Sequence, residues 1–129
     1  MAGAAPMTTV TRAVALGLFF LPIVLSGIWL SRKGRPLNVG ISTVHKLVSL
    51  AAGVYLLGTV SQRNRLVPLS PTEWIAIVAT GLCSLAMVAS GGFLSSERLM
   101  PVALLRVHQV IPLLTVLSAA VTLYLLLGR

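Results

Sequence analysis

Four long apolar stretches dominate the chain, and short polar segments separate them. The stretches cover residues 13–31, 41–60, 74–94 and 101–127. A helix needs about 20 residues to cross the ~30 Å hydrocarbon core of a bilayer, and each stretch approaches or exceeds that length. Because lipid offers no hydrogen-bond partner to the backbone, each stretch is predicted to be a membrane-spanning α-helix.

The segments between these stretches are short and rich in turn-forming residues; they read SRKGRPLNVG, SQRNRLVPLSPT and SSERLM. Short connections place consecutive helices side by side and antiparallel. We therefore predict an all-α membrane fold, an antiparallel four-helix transmembrane bundle formed by a single domain at 12–129, with a flexible tail at 1–11. Ser70 or Thr72 is expected to cap the third helix, and Pro101 to lie in the first turn of the fourth.

The first apolar stretch is predicted to be a retained helix and not a cleaved signal peptide. Its apolar run is longer than the roughly 7–15 residues of a signal-peptide core. It ends in Ser31, Arg32 and Lys33, where a signal peptide has small residues at a cleavage site.

Composition also indicates an integral membrane protein. Hydrophobic residues make up 57% and charged residues 9%, whereas soluble chains carry about 25% charged residues. Ten Lys and Arg against two Asp and Glu give a net charge of +8. These charges flank the apolar stretches, which is typical of membrane proteins and not of nucleic-acid binding. We expect a bacterial inner membrane as the location. The single cysteine, Cys83, excludes an intramolecular disulfide, a CxxC pair and a CxxCH haem attachment.

The two halves of the chain contain similar short segments. They read SGIWLS at 26–31 and SGGFLS at 90–95, followed by VHKL at 44–47 and VHQV at 107–110. The first pair is offset by 64 residues and the second by 63, so that Gly27 aligns with Gly91 and His45 with His108. This pattern predicts a tandem repeat of two-helix hairpins.

His45 and His108 are the only histidines, and both lie inside predicted spans at similar depth. An ionisable group inside the membrane is costly and indicates a functional site. Two imidazoles from different helices can bind the iron of a haem from its two faces. We therefore predict one non-covalent haem b per chain, with both histidines as metal ligands. The second nitrogen of each ring is expected to donate to Ser49, Ser42 or a helix carbonyl.

Small residues near the histidines suggest a slot for a flat ligand. Ser49 and Thr115 follow the histidines at helical spacing, and Gly27 and Gly91 lie at the same depth on the preceding helices. Small side chains there allow a ring edge to approach the backbone. The alternative is ordinary helix packing, which also uses small residues in membranes.

Arg106 and Lys46 are the cations nearest the two histidines in sequence. Guanidinium and ammonium groups bind carboxylates, and we expect these two side chains to pair with the haem propionates. The alternative is that both side chains extend to the lipid headgroups.

On these residues the chain resembles small membrane-bound b-type cytochromes, broadly the cytochrome b561 group and the cytochrome b subunits of hydrogenases and formate dehydrogenases. The resemblance lies in the four predicted helices and in the paired V-H-K and R-V-H-Q segments. It implies an electron carrier more than a stand-alone enzyme, with a redox protein or a quinone as partner. Those families usually hold two haems; with two histidines this chain can ligate one, so its haem is expected to serve one membrane face.

Two other classes of function stay open. The chain can be an accessory or structural subunit of a larger membrane complex, with its histidines binding a pigment, or a small four-span transporter. Carboxylates inside the spans would favour a transporter, but Glu73 and Glu97 lie at linker edges. A homodimer or a larger complex is compatible with each class. The linkers after the first and third spans carry four basic residues, as do the opposite ends, and Lys46 and Arg106 just inside the spans raise the first count to six. These linkers are expected to face the cytoplasm.

Overall fold

The computed structural model describes residues 9–96 and 101–127, and this part of the chain folds into four α-helices. They are α1 Thr9–Lys33, α2 Val39–Leu66, α3 Pro71–Ser95 and α4 Val102–Leu127. All four are long and apolar enough to cross a membrane. The prediction of an all-α fold with four membrane-length helices is confirmed, and the helices pack in hairpin pairs.

Most helix ends differ from the predicted apolar stretches by a few residues, and three of these differences change an expectation. Residues 9–11, expected in the N-terminal tail, belong to α1, while 1–8 lie outside the described part. The polar segment 61–66, expected in a linker, continues α2, because 61–67 contains no Gly or Pro to end the helix. Pro101 lies one position before α4 and not in its first turn; its carbonyl accepts a bond from the backbone N–H of Leu104 at 3.0 Å.

The connection between α1 and α2 is defined by local capping. Gly34 directly follows α1 with φ of 68°, the left-handed conformation that commonly ends a helix. Asn38 directly precedes α2, and its side-chain oxygen accepts a bond from the backbone N–H of Ile41 at 3.0 Å. The short linker thus stops one helix and starts the next.

The start of α3 has a reciprocal cap. The Ser70 hydroxyl accepts a bond from the backbone N–H of Glu73, and the Glu73 carboxylate accepts one from the backbone N–H of Ser70. Pro71 occupies the first helical turn. Of the two caps considered, Ser70 is therefore the one used, and the pattern is a capping box.

The chain divides into two compact units, Met1–Thr59 and Val60–Arg129. In the first unit, α1 and the larger part of α2 form an antiparallel hairpin. Phe19 faces Tyr55 with ring centroids 5.7 Å apart, and Ser26, further along α1, contacts His45, further back along α2. From the first contact to the second, the residue number rises on α1 and falls on α2, so the two helices are antiparallel.

In the second unit, α3 and α4 form a closely packed antiparallel hairpin. The hydroxyls of Thr80 and Thr122 lie 2.9 Å apart and are buried. One stripe of α4 is buried: Thr115, Ala119, Thr122 and Leu126. Small side chains allow two membrane helices to approach closely, and hydroxyls can bond across the interface. That residues 12–129 form one domain stays a prediction.

Candidate histidine site

His45 is held against α1 by hydrogen bonds to Ser26 and to the backbone of Ile23 and by one close contact. Its Nδ1 lies 2.8 Å from the Ser26 hydroxyl oxygen. Its ring lies on Gly27, where an added Cβ would be 3.3 Å from His45 Cε1. We call Ser26, Gly27 and His45 the first histidine seat. The ring can adopt this position because Gly27 has no side chain.

His108 has the same arrangement in the α3–α4 hairpin. Its Nδ1 lies 2.7 Å from the Ser90 hydroxyl oxygen. An added Cβ at Gly91 would be 3.1 Å from His108 Cε1. We call Ser90, Gly91 and His108 the second histidine seat. The sequence repeat thus corresponds to the same three-residue contact in both hairpins.

The two seats also occupy the same place along their helices. His45 is the seventh residue of α2, which begins at Val39, and His108 is the seventh residue of α4, which begins at Val102. At 1.5 Å per residue, each imidazole lies about 9 Å along the axis from the start of its helix. Both rings are half-buried.

The serines that contact the histidines are not the ones that the sequence suggested. Ser49, expected to accept from the ring of His45, instead donates to the backbone carbonyl of His45 at 2.7 Å. Thr115, expected near His108, is buried and donates to the carbonyl of Ile111 at 2.9 Å. Both hydroxyls donate to a backbone carbonyl of their own helix, as Ser and Thr often do in membranes.

Ser26 and Ser90 are the residues that sequence reasoning missed. The signal was present, because each serine directly precedes one of the two aligned glycines. Two adjacent residues of one helix can meet the same ring: the glycine supports its face and the serine bonds its nitrogen.

The structure does not place Arg106 and His108 on one face of α4. Two residues along an α-helix differ by about 200° in rotation, so the two side chains leave α4 on nearly opposite sides. Arg106 is exposed and borders a shallow groove of about 320 Å³ that Val107, Val110 and Ile111 also line. Lys46, next to His45, is exposed as well.

The donor set limits which metal chemistry the described residues can support. Within residues 9–96 and 101–127, no three His, Cys, Asp or Glu side chains come together. A closed site for a bare ion such as zinc needs four ligands, while haem iron needs only two axial ligands from the protein.

Comparison with known proteins gives no relative: no family model, curated protein or solved structure matches the chain. Chemically, each seat presents an oriented imidazole inside a membrane-spanning helix.

Proposed function

We propose that this integral membrane protein is a b-type cytochrome that binds one haem b through His45 and His108 and carries single electrons. The observation that carries the proposal is the repetition of one histidine seat in two hairpins. Each seat uses the same three residue types, the same ring nitrogen and the same helical position. Ordinary packing does not require both halves to hold an imidazole in the same way.

The bonded nitrogen supports a ligand role for the opposite one. A histidine that ligates a metal commonly donates its other ring N–H to a nearby acceptor, which fixes the ring. In both seats the serine contacts Nδ1. We therefore propose Nε2 of each histidine as the atom that ligates iron.

Two imidazole ligands define the kind of chemistry. When bound, the haem would supply a one-electron redox centre. His45 and His108 would both ligate its iron and leave no position for oxygen, which favours electron transfer. Arg106 and Lys46 lie on other faces of their helices than the histidines, and their long side chains are proposed to pair with the haem propionates.

One haem near one end of the spans can exchange electrons at that membrane face only. The proposed partners are therefore a quinone in the bilayer or a redox protein at the surface. The chain itself supplies the orientation of the two rings and an apolar surrounding.

The decisive experiment is the absorption spectrum of protein purified in detergent and supplied with haem b, first oxidised and then reduced with dithionite. We expect a low-spin, six-coordinate spectrum with one haem per chain. His45→Ala and His108→Ala should each abolish the low-spin signal, because either change removes an axial ligand.

Thr43→Ala in α2 and Ser118→Ala in α4 are matched controls that remove a hydroxyl and keep both imidazoles. Both should retain the wild-type spectrum. All four variants should still reach the membrane. If the wild type binds no haem, or both histidine variants keep its spectrum, the proposal is wrong.

The same hydrogen bonds favour a second candidate, an accessory membrane subunit in which the histidines only fasten the hairpins. Side-chain hydrogen bonds between membrane helices stabilise their association by about 0.6 kcal/mol on average. In that case His45→Ala and His108→Ala would lower the stability of the protein, and no haem would bind. The spectrum separates the two candidates.

A further inference from the structure

The Ser26 hydroxyl makes two short contacts. Its oxygen lies 2.6 Å from the carbonyl oxygen of Pro22, one turn back along α1, and 2.8 Å from Nδ1 of His45. A third, longer contact of 3.1 Å reaches the carbonyl of Ile23. Serine has one hydroxyl proton and can donate only one strong bond.

These distances decide where the protons are. A carbonyl oxygen has no proton, so the short contact between Ser26 and Pro22 requires the serine proton; without it, two oxygen lone pairs would face each other at 2.6 Å. The serine proton is then committed to the backbone. The contact between Ser26 and His45 needs a proton too, and only the ring nitrogen can supply it.

The second seat repeats this proton arrangement. The Ser90 hydroxyl lies 2.7 Å from the carbonyl oxygen of Ala86 and 2.7 Å from Nδ1 of His108, with a longer contact of 3.1 Å to the carbonyl of Met87. The serine proton is again committed to its own helix, so Nδ1 of His108 is the donor. Two independent hairpins lead to the same result.

We infer that Ser26 and Ser90 are positioning residues that hold both neutral imidazoles in the tautomer protonated at Nδ1. In that tautomer Nε2 carries the lone pair, which is the form that a metal requires. The proton placement follows from the geometry alone; its use, to prepare Nε2 for iron, rests on the proposed function. An unconstrained neutral imidazole favours the opposite tautomer, so the serines change the state of both rings.

The tautomer can be read directly by ¹⁵N NMR of protein labelled only in histidine, without haem and at a pH where both rings are neutral. Because the chain has two histidines, two sets of ring signals are expected. In the wild type both Nδ1 atoms should resonate as protonated and both Nε2 atoms as unprotonated.

Single variants then test each serine. Ser26→Ala should shift His45 towards the Nε2-protonated form and leave His108 unchanged, and Ser90→Ala should do the reverse. Ser84→Ala is the matched control, because its hydroxyl donates to the carbonyl of Thr80 at 2.8 Å in the same way. Ser26→Thr keeps a hydroxyl at this position, so the His45 signals of this variant should match those of the wild type.

The haem-loaded protein gives the second readout. Loss of a residue that orients a metal-ligating histidine typically weakens metal binding 10–100-fold, and we expect Ser26→Ala to weaken haem binding by about 10-fold. Protonated Nε2 signals in the wild type, or unchanged signals in both alanine variants, would overturn the inference. Wild-type protein with protonated Nδ1 that binds no haem would support the inference and refute the proposed function.

Discussion

Gly27 and Gly91 allow each histidine ring to approach the neighbouring helix closely, because neither residue has a side chain. A Cβ at Gly91 would lie 3.1 Å from the ring of His108, and one at Gly27 would lie 3.3 Å from the ring of His45. Both distances are shorter than ordinary carbon–carbon contacts of about 3.5–4.0 Å. A methyl group at either position therefore requires the imidazole to shift by a few tenths of an ångström.

Gly91→Ala and Gly27→Ala should lower the free energy of unfolding relative to matched changes elsewhere. The controls are Gly81→Ala in α3 and Gly17→Ala in α1, where a Cβ would meet nothing within 4 Å. At these open helical positions alanine is expected to stabilise by about 0.5–1 kcal/mol. Unfolding in a denaturing detergent, followed by circular dichroism, measures the difference.

Of the two seat variants, Gly91→Ala should be the more damaging, because its contact is the shorter. Equal stability of seat and control variants would show that the rings do not need the space that the two glycines leave.

At this scale the sequence predicted part of the site. It identified both histidines and both glycines from the repeat, but it offered Ser49, Ser42 or a helix carbonyl as ring partners and missed the serines of the preceding helices. Whether a serine on the same helix or on the preceding one meets a ring depends on how the two helices are offset along their axes. Apolar patterns do not encode that offset when nearly every position of a membrane helix is hydrophobic.

At the level of elements, α3 and α4 share a buried polar contact. Thr80 and Thr122 are 2% and 1% exposed, and their hydroxyls form a bond that no water competes for. Such bonds between membrane helices average about 0.6 kcal/mol and reach about 1.7 kcal/mol.

A double-mutant cycle with Thr80→Val and Thr122→Val should give a coupling energy in the range of about 0.6–1.7 kcal/mol. Valine keeps the shape of threonine and removes the hydroxyl, so the cycle isolates the hydrogen bond. The reference cycle pairs Ser84→Ala with Thr122→Val, because the Ser84 hydroxyl bonds within its own helix. A Thr80–Thr122 coupling no larger than the reference would mean that the bond adds nothing to the hairpin.

The sequence predicted the existence of all four helices and missed some of their ends. Hydropathy identifies the part of a helix that lies in lipid, because only that part must be apolar. Hydropathy does not detect the polar part of a helix that extends beyond the apolar stretch, such as residues 61–66 of α2. The start of α3 was easier to predict, since Ser70 and Glu73 have the three-residue spacing of a capping box.

For the whole molecule, the distribution of charge is uneven. The two acidic residues are Glu73 and Glu97, so the first 72 residues carry basic side chains and no acidic ones. Arg32, Lys33 and Arg35 cluster at the α1–α2 linker and are exposed. Basic linkers tend to stay in the cytoplasm.

We expect the α1–α2 linker to face the cytoplasm and the α2–α3 linker to face the opposite side. Arg35→Cys and Val67→Cys, each in a Cys83→Ala background, test this with a maleimide that cannot cross membranes. In cells of a bacterial host, Val67→Cys should react from outside, and Arg35→Cys only in inverted vesicles.

Reaction of both cysteines from one side would contradict the assignment of α2 as a membrane span. If Arg35→Cys reacted from outside and Val67→Cys only in inverted vesicles, α2 would still span the membrane but in the opposite orientation.

The extended end of α2 offers a practical attachment point for imaging the protein by cryo-electron microscopy. A chain of 13.6 kDa is too small for particle alignment in cryo-electron microscopy. The 28 residues of α2 make a helix of about 42 Å, longer than the ~30 Å hydrocarbon core. A soluble helical domain inserted after Leu66, with its first helix in phase with α2, would extend a rigid rod into the solvent. That rod would serve as a fiducial marker and leave both histidine seats unaltered.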